Sequence, residues 1–195
     1  RRFFLKLTGM ATGGLMLPAC SGPGDDEHPT APGAAKRPAL IRVAFLYPPS
    51  AKFTNDPDGW WSWPGNDFDA EGRHHAYAER LREMEKRLGI RLSMEGPAIG
   101  DEAAAMKLAE DIKANRPDGL LLVMFYNRSL PLADALLAAA KQMDVPAIFY
   151  IGLGVKHGPV SAYRRPGVYF IQSLENFDAI EYGLKMIGTR VRASQ

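Results

Sequence analysis

Trp60, Trp61 and Trp63 fall together in "PPSAKFTNDPDGWWSWPGND", a stretch whose Pro, Gly and Asp content argues against regular structure. Exposed indoles on a loop make flat apolar platforms on which sugar rings or other apolar faces can lie. The alternative is that the tryptophans plug the loop onto the domain as a small core of their own. A second set, Tyr126, Asn127 and Arg128, comes directly after the apolar run "LLLVMF". An aromatic ring, an amide that both donates and accepts, and a planar fork of donors suit hydroxyls or a carboxylate. The alternative there is a surface loop with Arg128 in solvent and Tyr126 packed down.

Other chemistries find less support. "GLGVKHGPV" has glycines at Gly152, Gly154 and Gly158 but leads into a proline-containing coil rather than a helix, so it does not meet the requirements of a dinucleotide-binding turn, and no cofactor is expected. Lys156 and His157 could face a ligand from that loop or stand in solvent. His74 and His75 are neighbours on a helix, about 100° apart around its axis, and cannot grip one metal from one face. With no His-x-x-x-His spacing, no cysteine pair and no nucleophile elbow, neither a metal site nor a catalytic set is expected.

The elements that would carry these residues alternate along the chain. "ALIRVAFLY" reads as a strand. In "DAEGRHHAYAERLREMEKRLG", Tyr77, Leu81, Met84 and Leu88 recur at helical spacing, with Gly89 as the stop. "IRLSME" is a second strand, and "DEAAAMKLAEDIKANRPDG" a helix with Asp101 as its N-cap. "LLLVMF" is continuously apolar, as a strand covered on both faces must be. "LPLADALLAAAKQMD" places Leu132, Leu136, Ala139 and Met143 on one helical stripe. "AIFYI", "GVYFIQ" and a helix from Asn176 to Ile187 close the pattern. Strands joined by helices imply a parallel sheet, because each parallel pair needs a crossover. The fold class is therefore α/β, a doubly wound parallel sheet in three αβα layers. Ligands of such sheets bind beyond the carboxyl ends of the strands, which singles out the loops at 48–66, 125–129, 152–160 and 173–176. His74, on a helix, is expected away from that edge.

The ends and the composition fill in the rest. Arg1 and Arg2 head the apolar, glycine-broken run "RRFFLKLTGMATGGLMLPAC", which looks like a twin-arginine export signal; Leu17-Pro18-Ala19-Cys20 resembles a bacterial lipobox, with Cys20 as the residue to be lipidated. Residues 21–38 are rich in Gly, Pro, Ala and charge and read as a flexible linker. A single cysteine excludes an internal disulfide. Setting Arg1, Arg2 and Lys6 aside from the 24 basic residues leaves 21 against 22 acidic ones, so no nucleic-acid partner is expected. The expected location is the periplasm or cell envelope, with a lipid anchor in the membrane.

From Leu40 to Ile187 the order of segments resembles the first lobe of the type I periplasmic sugar-binding proteins, the ribose-binding and LacI-like group. The likeness lies in "GRHHAYAERLREMEKRLGIRLSM", a helix ending in "PDG" before an apolar strand, "LADALLAAAKQMDVPAIFYIG" and "VYFIQSLENFDAIEYGLKMIG". It implies one lobe of a two-lobe protein: export signal 1–20, linker 21–38, ligand-binding lobe 39–172, and 173–195 as the crossover and first helix of a second lobe. It implies a small sugar-like solute bound by Trp60, Trp61, Trp63, Tyr126, Asn127, Arg128 and Asn176, and a membrane permease as partner. Most of the second lobe has no counterpart in the chain. A rival resemblance is to the amino-terminal domain of the L-fucose and L-arabinose isomerases, which would make the chain part of a metal-dependent aldose-ketose isomerase with its catalytic part elsewhere.

Overall fold

The computed structural model of the chain describes residues 37–54, 68–94, 96–125, 129–152, 163–173 and 176–195, all within one compact unit, Lys36–Gln195. In chain order the elements are β1 (Leu40–Leu46), α1 (Ser50–Thr54), α2 (Ala70–Leu88), β2 (Arg91–Ser93), α3 (Glu102–Ala114), β3 (Gly119–Met124), α4 (Leu130–Gln142), β4 (Ala147–Ile151), β5 (Val168–Gln172) and α5 (Ile180–Ala193); a 3-10 turn at Phe177–Ala179 leads into α5. The strands form one sheet in the order β2-β1-β3-β4-β5, with every neighbouring pair parallel. This is the doubly wound α/β architecture that the alternation of segments requires.

Side chains alternate across each strand and so divide the core in two. Ile41, Val43, Phe45, Leu121, Val123, Ile148 and Tyr150 pack under α2 and α5. Ala44, Leu46, Leu120, Leu122, Met124, Phe149 and Ile151 pack under α3 and α4. The helices begin and end where their residues dictate. Asp69 Oδ1 accepts from Gly72 N at 2.8 Å and Asp101 Oδ1 from Ala104 N at 2.9 Å, each satisfying an amide that the first turn leaves open. Gly89 ends α2 at φ 61°, a left-handed conformation that glycine adopts without Cβ strain. Tyr77, Leu81 and Met84 are buried on the inner stripe of α2.

Three elements depart from the expectations. The buried residues of α4 are Ala133, Leu136, Leu137, Ala139 and Ala140, while Leu132 and Met143 are only half-buried. The helix is rotated so that its small alanines face inward, against the sheet and α3. The five-residue α1 carries too little apolar pattern to be foreseen; it is tied to α2 by Glu71, whose carboxylate accepts from both the amide and the hydroxyl of Ser50. The third is α5, within the stretch that the resemblance assigned to a second lobe. Ile180, Leu184, Ile187 and Val191 of α5 are buried in the same core as β1, β3 and β4.

The close fit of α5 depends on Gly183. A Cβ there would lie 2.7 Å from Ile148 Cγ1 and 2.8 Å from Tyr169 Cδ1. Gly183→Ala should gain about 1 kcal/mol of helix propensity but lose about 1–3 kcal/mol to overpacking. We expect a lower urea midpoint at unchanged slope; a raised midpoint would show that β4 and β5 yield easily.

Candidate functional site

β2 is only three residues long, and its brevity opens the sheet. Arg42 of β1 pairs with Ser93, and the chain returns to β1 at the Leu46–Ile99 bridge, where Ile99 N donates to Phe45 O at 2.8 Å. Between these two points β1 advances from 42 to 46 while the other chain advances from 93 to 99. The two extra residues force that chain outward, as in a bulge, with Gly96 at φ 111° in the turn. The gap is a cleft of about 430 Å3 that runs along the edge of β1.

Both layers of helices reach this cleft. Ala104, Lys107, Leu108 and Asp111 of α3 line it, at positions that share one helical face. Val43, Ala44 and Phe45 form its floor, and Met94, Gly96, Pro97 and Ile99 its outer wall. His74, from the second turn of α2, closes one end. The lining is mainly apolar with a few polar groups, and its volume falls in the range of about 300–1,000 Å3 usual for small-molecule sites.

His74 is held in place from two sides. Its ring stacks on Phe45 with centroids 3.7 Å apart and planes 22° apart, and its Nδ1 lies 2.9 Å from Tyr47 Oη. The bond to Tyr47 leaves Nε2 as the ring nitrogen able to meet a ligand. It is a donor when Tyr47 donates to Nδ1, and an acceptor when Nδ1–H donates to Tyr47. Burial, together with the neighbouring His75, lowers the His74 pKa below its ordinary value of 6.5, so the ring is neutral near pH 7. Burial and the Glu71 and Asp69 charges push the Tyr47 phenol up to about 12. Tyr47 is in turn part of an aromatic cluster with Phe125 and, through it, Tyr77 and Phe68.

At the other end stands Arg42, the one charged residue of β1. Its Nη1 donates to Ser93 Oγ at 2.6 Å, its Nη2 is 3.5 Å from Asp111 Oδ2, and its buried Nε has no acceptor among the described residues. Lys107, one turn before Asp111, is exposed and has no ion pair among the described residues.

Trp60, Trp61, Trp63, Tyr126, Asn127 and Arg128 are outside the described residues, as are Lys156, His157, Cys20, Arg1 and Arg2. Asn176 is exposed and sits beyond β5, at the opposite end of the sheet from β2, so it does not join the cleft. His74 corrects an expectation. In a parallel sheet the helix that follows a strand begins at the carboxyl edge, and a residue in its early turns belongs to that edge. The loop at 94–100 escaped notice because "IRLSME" reads as a strand through Glu95, whereas β2 stops at Ser93. Its signal was present in the Gly96-Pro97 pair. Among the described residues no group of three His, Cys, Asp or Glu could hold a metal ion, and no helix is long and apolar enough to cross a membrane.

The fold and the cleft define a doubly wound α/β domain with a small-molecule-sized site at the edge of its sheet. No family model matches the chain, and no curated protein matches it. Among solved structures, the type II dehydroquinase from Propionibacterium acnes aligns with 80% of this chain and 99% of its own at 16% identity and a TM-score of 0.45. The likeness to periplasmic sugar-binding proteins, with the twin-arginine leader, lipobox and solute-uptake role attached to it, finds no support in these comparisons and is set aside, as is the isomerase reading. The pattern behind them, amphipathic helices alternating with apolar strands, is common to parallel α/β sheets in general.

The lowered His74 pKa fixes the sign of a pH effect. From about 6.5 down to the lower folded value, the unfolded chain binds a proton that the folded chain refuses, so stability falls as pH drops through that window. An NMR titration should find His74 protonating below 6.5. Urea midpoints at pH 5 and 7 should differ less in His74→Gln than in the wild type; an equal difference would remove His74 as a cause.

Proposed function

We propose that this domain binds a small, mainly apolar molecule in the cleft between the edge of β1, the start of α2 and the inner face of α3. One observation carries the reading: a half-buried neutral His74, together with an Arg42 and a Lys107 whose donors are not all taken up among the described residues, converges on a single apolar-floored cleft of about 430 Å3. A few fixed polar groups around apolar walls orient a ligand and give it specificity. A second hollow of about 330 Å3 between β4, β5 and α5 lacks that convergence. Its one charged lining residue, Arg190, is already 3.2 Å from Asp144.

The experiment is a fragment titration followed by amide chemical shifts of the 15N-labelled chain. Binding should shift Phe45, His74, Gly96, Ile99 and Lys107 together. Ala44→Leu, which places three more carbons on the cleft floor, should weaken every such fragment by about tenfold or more, an effect of at least about 1.4 kcal/mol. Shifts confined to β5 and α5, or fragments indifferent to Ala44→Leu, would overturn the assignment.

A further inference from the structure

The charges around the cleft narrow the chemistry of what it takes. Among the described residues its lining carries two cations, Arg42 and Lys107, one anion, Asp111, and the neutral His74. The cations lie on the α3 side of the cleft and do not cancel each other's demand for acceptors. A guanidinium has five N–H groups. Here Ser93 takes one at 2.6 Å, Asp111 stands at 3.5 Å, beyond a good hydrogen bond, and Nε has no acceptor among the described residues. The Lys107 ammonium adds three further donors.

We infer that the natural ligand is a monocarboxylate with an apolar body, its acid group between Lys107 and Arg42 and its body along Phe45, Met94 and Pro97 toward His74. This rests on the cleft being the binding site. The one net positive charge of the described lining residues matches one carboxylate. A phosphate ester, with nearly two negative charges at pH 7, would leave a surplus. It would also find no helix terminus to bind to, since Asp101 already occupies the start of α3 with its own carboxylate. The side chains of Val43, Ala44, Phe45, Leu108 and Ile99 offer no polar group to a row of hydroxyls, so an apolar body fits them better than a polyol does.

A 19F NMR competition series tests this. The probes are fluorinated aryl and short-chain alkyl monocarboxylates, each paired with its primary amide, and for the aryl members with the phosphate ester. The proteins are the wild-type chain, Lys107→Gln, Ala44→Leu and, as a control on a distant surface, Lys141→Gln. The acids should bind wild type about five- to tenfold more tightly than their amides, the size expected of one partly exposed charge-assisted contact. Lys107→Gln should remove most of that difference while Lys141→Gln leaves it intact, and Ala44→Leu should abolish binding of both. Amides as tight as acids, with both lost in Ala44→Leu, would overturn the acid class and leave the cleft assignment standing. Phosphate esters tighter than carboxylates would overturn the single-charge match. Acids that bind Ala44→Leu undiminished, or a series in which nothing binds, would overturn both the ligand class and the site.

Discussion

Every residue of β3 from Gly119 to Met124 is buried, and nothing but the sheet itself can satisfy the peptide groups of such a strand. An unpaired peptide group in that position would cost as much as a lost hydrogen bond. β1 and β4 meet the demand on either side in parallel register, and parallel register in turn requires each strand to be followed by a crossover. Helices that cross over must start where the preceding strand ended. The caps and first two turns of α2 and α3, with Asp69, Glu71 and His74 on one and Asp101, Ala104 and Lys107 on the other, are thereby delivered to the end of the sheet where β1 and β2 finish. The position of the cleft is a consequence of burying β3.

The two faces of the sheet meet that constraint with different materials. Beneath α2 and α5 the packing is aromatic: Phe45, Tyr47, Tyr77, Phe125, Tyr150 and Phe177 touch in a chain of ring contacts. Beneath α3 and α4 it is largely aliphatic, with Ala105, Ala133 and Ala140 almost wholly buried where the two helices pack together. Rings are stiff and fill space with few torsions to lose. The aromatic face can therefore hold His74 by a stack and a hydrogen bond, whereas the other face meets the cleft through Ala44, Ala104 and Leu108, side chains without rings.

How much of this was legible follows from what a hydrophobic pattern records. Runs such as "LLLVMF" and "AIFYI" declare buried strands because a continuous apolar segment of that length has few other uses, and Asp101 and Gly89 declare helix ends because their side chains, or the lack of one, do specific backbone work. The phase of α4 was not legible, since Leu132 and Ala133 count equally as apolar while only packing against α3 decides which turns inward. The cleft was hidden for a different reason. A pattern describes the faces of an element, and His74 matters through its place near the beginning of a helix rather than through its face. The stop of β2 at Ser93 depends on where the chain rejoins β1 at Ile99, a contact between segments that composition does not encode.

Arg42 shows how the same geometry joins structure to function. A charge in the middle of a strand, between Leu40 and Ala44 on the side facing α3, conflicts with the apolar setting of that layer. A buried donor without an acceptor costs about 1–3 kcal/mol, and the Nε of Arg42 is such a donor among the described residues. A hydrophobic residue at 42 would avoid the cost, since Leu120 and Ile112 nearby are fully apolar and buried. The guanidinium is tolerable only because β2 ends beside it and the outward loop leaves its head a quarter exposed. The interruption that lets water reach Arg42 is therefore the one that makes the cleft. A local violation of good packing located at the mouth of a hollow with converging polar groups is the pattern expected where a fold gives up stability to hold a ligand.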